Sequence, residues 1–326
     1  MAKVSVLVAA YNAARFLPRS LDSLLCQTHA DLQVICVDDA STDATLSVLT
    51  GYAARDSRVT VIPLSENVGQ ARARNVALQQ AVGDYVCFLD SDDWLSPDAI
   101  AEAVDVFHQH ADTDCVLFRL LMVTDGHEES YPMEPFDCLT GYEAFVRSLD
   151  WRVHGVYMTR CSLFQRVPYD DTCRSYSDDN TTRIHYYLSR QVRPCRGTYY
   201  YLQHATSVTH QQSVRRFDHL RANESMKRQL LSLSVDRSLL ARYEQVRWLV
   251  LVDCYMFYHV HGRYLTAAER RYGLSELHRV WQSVDRTLLN KETTAKFGYR
   301  PCKWWWLFRC QEWCYFTLRG LLGKNL

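Results

Sequence analysis

No stretch of the chain reads as a secretory signal. Met1-Ala2-Lys3 runs straight into an apolar strand pattern, without an n-region, an h-region or a small-residue cleavage site. A membrane span is missing too. The longest candidate, Trp248 to Val260, is interrupted by Asp253 and falls short of the roughly 20 residues that a spanning helix needs. The expectation is a soluble or peripheral protein. The twelve cysteines include no CxxC pair, and most lie in apolar runs, such as Cys36 in VICVDD and Cys87 in YVCFLD. That pattern argues against zinc and for reduced core thiols, with Cys302, Cys310 and Cys314 the remaining redox or ligand candidates. No GxGxxG follows a strand and no GxxxxGK[ST] occurs, so a nucleotide, if bound, must be held by a metal and side chains. Internal repeats and low-complexity linkers are also absent.

What is present is ordinary in bulk and uneven in distribution. The 326 residues are 48% apolar and 23% charged, which is a globular composition long enough for one large domain or two ordinary ones. Lys plus Arg and Asp plus Glu each number 37, so the net charge is zero. Residues 1–150, however, carry 9 basic and 23 acidic side chains, and residues 151–326 carry 28 and 14. An acidic half joined to a basic half suits a chain that holds a cation at one end and meets an anionic partner at the other.

The first 125 residues alternate strand and helix signals. VSVLVAA (4–10), LQVICV (32–37), VTVIPL (59–64), YVCFL (85–89) and DCVLFRLL (114–121) read as buried strands. Between them fall the amphipathic stretch Leu17 to Gln27, a helix capped by Ser41 or Asp43 and ending near Ala54, one from about Gln70 to Val82, and one from Pro97 to His110. Such alternation predicts an open α/β sheet, mostly parallel, with crossover helices. Residues 125–150 read as loop-rich, and residues 151–205 mix strand signals with a helical pattern from about Asp178 to Leu188. After about Arg215 only helix signals remain, including Ser238–His261, apolar nearly all round. The expected domains are therefore 1–215 and a helical region 216–326, ending in a tail rich in Trp, Lys and Arg from Pro301.

In an open parallel sheet, ligands bind beyond the carboxyl ends of the strands. Asp38-Asp39 follow the second strand there, and Asp90-Ser91-Asp92-Asp93 follow the fourth. Three carboxylates within four residues repel one another unless a cation offsets the charge, and a hard divalent ion is the natural occupant.

The set VSVLVAAYN (4–12), VDDASTD (37–43), ENVGQARARN (66–75) and FLDSDDWL (88–95) resembles the inverting family 2 glycosyltransferases with the GT-A fold, in order and spacing, over about the first 110 residues. The likeness returns weakly at SYSDDNTT (175–182) and TYYYLQHATSVTH (198–210). The resemblance implies that Ala9, Tyr11 and Asn12 contact the base and ribose of a nucleotide sugar. Asp39 matches the carboxylate that hydrogen-bonds the base, usually uracil, and Arg74 a nucleotide-side arginine. Asp90 and Asp92 form the DXD motif, with the metal ligand from Asp92 or Asp93, and Asp179 matches the general base. The sequence departs from the family at Ala10, where Pro is common, at Ala77, where Gly is common, and at Ser177-Asp178, where Gly-Glu is common. Asp179 reads alternatively as a helix N-cap, and His204 and His210 as acceptor-side or metal-side groups or as structural histidines.

These parts suit a single inverting displacement. A divalent cation (Mg²⁺ or Mn²⁺) neutralises the leaving diphosphate, and a carboxylate takes the proton of the acceptor hydroxyl as it attacks. The expected function is transfer of a sugar from a nucleotide donor, UDP-linked by the resemblance, to a hydroxyl of a glycan or lipid-linked acceptor in polysaccharide biosynthesis. The expected place is the cytoplasm, with peripheral contact of the tail at the inner membrane face, and no nucleic-acid partner. An inactive sugar-nucleotide-binding or scaffolding subunit is the alternative.

Overall fold

The continuous apolar runs form the middle of a sheet. β1 (Val4–Ala10), β2 (Leu32–Asp38), β3 (Val59–Pro63) and β4 (Tyr85–Phe88) are parallel and lie in the order β3-β2-β1-β4. The structure is a computed structural model and describes residues 2–204 and 213–324. Side chains alternate across the pleat. Val4, Val6 and Val8 of β1 and Val34 and Cys36 of β2 enter one core with Leu17, Leu21 and Leu24 of α1 (Leu17–Leu25). Leu7, Ile35 and Val37 enter the opposite core with Ala71, Ala73 and Ala77 of α3 (Gln70–Leu78), which follows α2 (Thr45–Ala53). Each fully buried leucine stabilises this packing by roughly 1.5–3 kcal/mol. The strand ends, and with them the carboxylates, are fixed by this two-sided burial.

The second half of the sheet is mixed. β5 (Trp94–Leu95), α4 (Ala99–Gln109) and the long β6 (Thr113–Thr124) precede β7 (His127–Ser130), β8 (Leu139–Thr140) and α5 (Gly141–Ser148). Then come β9 (Tyr157–Arg160), α6 (Cys161–Arg166), α7 (Asp178–Leu188) and β10 (Gln191–Gln203). β9 enters antiparallel between β4 and β6, and parallel pairing resumes between β6 and β10. The stretch expected to be loop-rich therefore contains elements. Asp125 and Gly126, at φ 50 and 83, make a tight turn from β6 into β7, as a two-residue hairpin of this type requires. Thr140 and Glu143 form a reciprocal capping box that starts α5. Both are local turn and cap signals, which hydrophobic periodicity does not report.

Chain contacts divide the protein into two units. The first comprises the residues up to Asp171 and those from Thr181 through β10; the second takes Thr172–Asn180 and the residues after β10. Relative to a single boundary at residue 215, the segment Thr172–Asn180 goes with the helices.

The helical unit contains α8 (Asp218–Ser232), α9 (Arg237–His261), α10 (Ala267–Ser283), the short α11 (Lys291–Thr294) and α12 (Trp305–Leu321). Its core gathers Leu220, Trp248, Leu251, Leu277, Val280, Phe308 and Phe316. Gly273 is required where it stands, because a Cβ there would lie 2.4 Å from the Phe217 ring. α9 is the buried helix expected from its composition, and it also buries an ion pair. Arg247 Nη1 donates to both Glu244 oxygens at 2.9 Å, and Lys227 reaches the same carboxylate. α12 packs through Phe308, Glu312 and Phe316, yet Trp306 and Trp313 on it, and Trp304 just before it, remain 52–62% exposed. The tail is thus docked and still presents tryptophans.

The structure pairs none of the twelve cysteines. Burial pushes the Cys36 thiol up to about 12, in keeping with an inert core residue. Cys310 and Cys314 are exposed.

Candidate active site

The loops after β1 and β2 interlock at the carboxyl edge of the sheet. Asp39 N–H donates to Ala10 O at 2.8 Å, Asn12 N–H to Ser41 Oγ at 2.9 Å, and Thr42 N–H to Asn12 Oδ1 at 2.8 Å. Asn12 (φ 50) and Ala40 (φ 56) both take left-handed backbone, which costs an alanine roughly 1–2 kcal/mol and persists only where the surroundings enforce it. Tyr11 stands 51% exposed at this edge, and Ala9 is the penultimate residue of β1.

Asp38 and Asp39 are both buried but differently held. Asp39 accepts from the backbone N–H of Val68 (2.7 Å) and of Gly69 (2.9 Å), one to each oxygen. Gly69, at φ 91, gives the backbone turn that aims its N–H at the carboxylate and opens α3. Asp38 Oδ2 accepts weakly from Ser41 N–H at 3.4 Å, and Oδ1 meets no hydrogen-bond partner among the described residues.

The three aspartates after β4 have three different settings. Asp90 Oδ1 accepts from Gln70 Nε2 at 2.8 Å and from Arg74 Nη2. Arg74 is itself buried, its guanidinium 4.2 Å above the Phe88 ring and 5.3 Å from that of Tyr169. Asp93 is 1% exposed: Oδ2 accepts from Tyr199 O–H at 2.7 Å and Oδ1 from Leu202 N–H at 2.8 Å. Burial first, then the charges of Asp90 and Asp92, hold its carboxyl well above the usual range. Asp92, by contrast, is 27% exposed, and His204 Nε2 hydrogen-bonds its Oδ2 at 2.8 Å. The His204 ring stacks on Phe16, 4.9 Å between centroids.

Of the residues singled out in the sequence, the sheet unit carries Ala9, Tyr11, Asn12, Asp39, Arg74, Asp90, Asp92, Asp93 and His204. His210 lies outside the described residues. Asp179 is grouped with the helical unit, in the first turn of α7. That helix begins at Asp178, so the capping position falls to Ser177 and not to Asp179. Sequence reasoning did not find Gln70, Tyr199 or the amides of Val68 and Gly69. Tyr199 sits within the run YYYL, where nothing in the pattern separates the tyrosine that reaches Asp93 from its neighbours.

Among the described residues, no three His, Cys, Asp or Glu side chains converge into a cage for an ion. An ion bound at Asp92 would draw part of its coordination shell from a ligand. The Asp92 carboxylate is the hard oxygen donor that Mg²⁺ or Mn²⁺ takes, and His204 lies beside it at 2.8 Å.

Comparison with known proteins agrees with a GT-A fold. Residues 5–172 match the Glycosyl transferase family 2 profile, and the chain belongs to that family. Over 123 residues it is 39% identical to TuaG of Bacillus subtilis (strain 168), a glycosyltransferase named for teichuronic acid biosynthesis, covering 38% of this chain and 49% of that one. It is 36% identical over 121 residues to a poly(ribitol-phosphate) beta-glucosyltransferase of Bacillus spizizenii, covering 36% and 19%. The chain thus spans about half, or less, of these relatives. The crystal structure of S. aureus TarS 1–349 in complex with UDP-GlcNAc aligns over 99% of this chain and 92% of that one, with TM-score 0.74 and 21% identity. That likeness is one of fold.

Proposed function

We propose that the chain is a divalent-metal-dependent, inverting glycosyltransferase that moves a sugar from a UDP-linked donor to a hydroxyl of a glycan or lipid-linked acceptor in cell-surface polysaccharide synthesis. The observation that carries this reading is the division of labour in the aspartate cluster. Asp90 is tied to Gln70 and Arg74, Asp93 is buried against Tyr199 and Leu202, and Asp92, as exposed as Asp90, meets the imidazole of His204. A turn built only for structure has no reason to pair one of its carboxylates with an imidazole at a sheet's ligand-binding edge.

In this reading Ala9, Tyr11 and Asn12 seat the nucleoside, and Asp39, its orientation locked by two backbone amides, faces the base. Asp92, with His204 beside it, would hold the cation, and Asp93 positions the turn from behind. A divalent cation, when bound, neutralises charge on the leaving diphosphate. Arg74 holds Asp90 in place from a buried position. Asp179 accepts the proton of the acceptor hydroxyl, so that the oxygen attacks the anomeric carbon as a developing alkoxide. Two relatives, named for teichuronic acid and for poly(ribitol-phosphate), favour an acceptor polymer of that type, and the TarS complex favours a UDP-sugar. The chain acts at the cytoplasmic face of the membrane, attached peripherally through its basic, tryptophan-rich tail.

The test is UDP release from a panel of UDP-sugars with Mn²⁺, with and without polyol-phosphate and glycan acceptors, followed by NMR of the product's anomeric configuration. Acceptor-dependent UDP release with inverted configuration is expected. No release from any nucleotide sugar would reject the activity, and a retained configuration would reject the single displacement.

A further inference from the structure

A cleft of about 310 Å³ opens in the helical unit beside the tail helix. Tyr255 and Tyr258 of α9, Arg263, Arg270 of α10, and Arg309 and Trp313 of α12 line it, and no carboxylate does. All three arginines are exposed. Arg270 Nη1 donates to the carbonyls of Leu265 (2.9 Å) and Gly262 (3.3 Å), which fixes its guanidinium at the rim. Arg263 leans on the Tyr264 ring, 4.7 Å to its centroid. Guanidinium groups converging without an acid among them match a phosphate, to which each presents a planar fork of donors.

The cleft adjoins an apolar surface. On α12, Phe308, Glu312 and Phe316 point inward, while Trp306, Trp313, Leu318 and Leu321 are 55–80% exposed on the other side. Lys303 and Lys324 flank this face at the helix ends. Large apolar side chains left in water over several turns mark a surface that meets something, and tryptophan beside arginine is the composition of a membrane interface. A second copy of the chain would set like charges against each other here; an anionic bilayer would not.

We infer that the Arg263–Arg270–Arg309 cleft binds the phosphate of an anionic phospholipid headgroup, with the Trp306–Trp313 face of α12 laid into the bilayer interface. This inference rests on the peripheral membrane attachment proposed above and is independent of the glycosyl transfer. It gives that attachment a specific headgroup site instead of a diffuse basic tail.

Sedimentation of the full chain with phosphatidylcholine vesicles, alone or mixed with phosphatidylglycerol, tests it. Two variants are compared with wild type, Arg263→Gln/Arg309→Gln and Trp306→Ser/Trp313→Ser, with circular dichroism as the check on folding. All four side chains are exposed, so the fold should survive both changes. Wild type should bind the anionic vesicles and not the neutral ones. Each lost guanidinium should weaken binding about fivefold, and the serine variant should release the vesicles while retaining its fold. Anionic-vesicle binding that the arginine variant leaves unchanged would overturn the headgroup site and leave the membrane attachment standing. A wild type that ignores both vesicle types would overturn both. Binding of inorganic phosphate at the cleft without vesicle binding would assign it to a soluble phosphate and overturn the lipid proposal.

Discussion

Tyr199 donates its hydroxyl to Asp93 Oδ2 at 2.7 Å and with the same oxygen accepts the backbone N–H of Asp90 at 3.1 Å. One phenol on β10 thus fixes both ends of the Asp90–Asp93 turn. The carboxylate it serves is buried, so removing the hydroxyl strands an acceptor that water does not reach.

Tyr199→Phe is therefore expected to lower stability by about 1–3 kcal/mol through the stranded Asp93 oxygen and Asp90 amide. It should also loosen the turn that presents Asp92. Urea unfolding measures the first effect, and the Mn²⁺ concentration for half-maximal UDP release measures the second. A variant with wild-type stability and wild-type Mn²⁺ requirement would show that the phenol is idle.

Asp92→Asn removes the carboxylate that faces His204 while keeping its shape. Transfer should fall, with the Mn²⁺ requirement shifted upward, because an amide oxygen is a much poorer ligand for a hard cation than a carboxylate. Excess chelator should silence the wild type, and added Mn²⁺ should restore it. Full activity in chelator would remove the metal from the mechanism.

Asp179→Asn separates the two roles that the sequence leaves open for this residue. The helix begins at Asp178, so the substitution does not touch the capping position, and asparagine preserves the size of the side chain. Donor affinity and fold should persist while kcat drops by roughly 100-fold, the usual effect of losing a general base. Isothermal titration with UDP-sugar alongside turnover gives both values. A near-normal kcat would place the base elsewhere.

The central strands were legible because burial on both faces writes a continuous apolar run, as in Val4–Ala10 and Leu32–Asp38. The Asp90-Ser91-Asp92-Asp93 cluster was legible as a group, since its charge density has no cheap structural explanation. Which carboxylate does what was not. Asp93 differs from Asp92 only in facing Tyr199 and Leu202, more than a hundred residues away in the chain, and sequence spacing carries no trace of that pairing. β7 and α5 were missed for the opposite reason. Their signals are an Asp-Gly turn and a Thr-x-x-Glu cap, while β7 is exposed throughout and has no apolar period to read. In α9 the surrounding leucines and valines masked the buried Glu244–Arg247 pair.

Glu312 supplies a prediction about pH. It is 0% exposed on the inward face of α12; Gln311 Nε2 donates to Oε1 at 3.1 Å, and Oε2 meets no partner among the described residues. Tyr255 on α9, with Tyr299 and Cys302 ahead of α12, lie near enough to feel its charge, and all three are neutral around pH 7. Burial pushes the Glu312 carboxyl from 4.5 up to about 8. The folded protein consequently keeps a proton that the unfolded chain gives up. The contribution of this group to stability is complete below pH 4.5 and is lost as the pH climbs to about 8, at about 1.4 kcal/mol per pH unit. Glu312→Gln removes that titration while keeping the shape of the side chain. Its stability relative to wild type should rise steadily across the interval and level off above it, by a few kcal/mol in all. Urea unfolding of both proteins at several pH values between these limits measures the difference. Parallel curves for the two proteins would mean that Glu312 ionises in the folded state as it does in water.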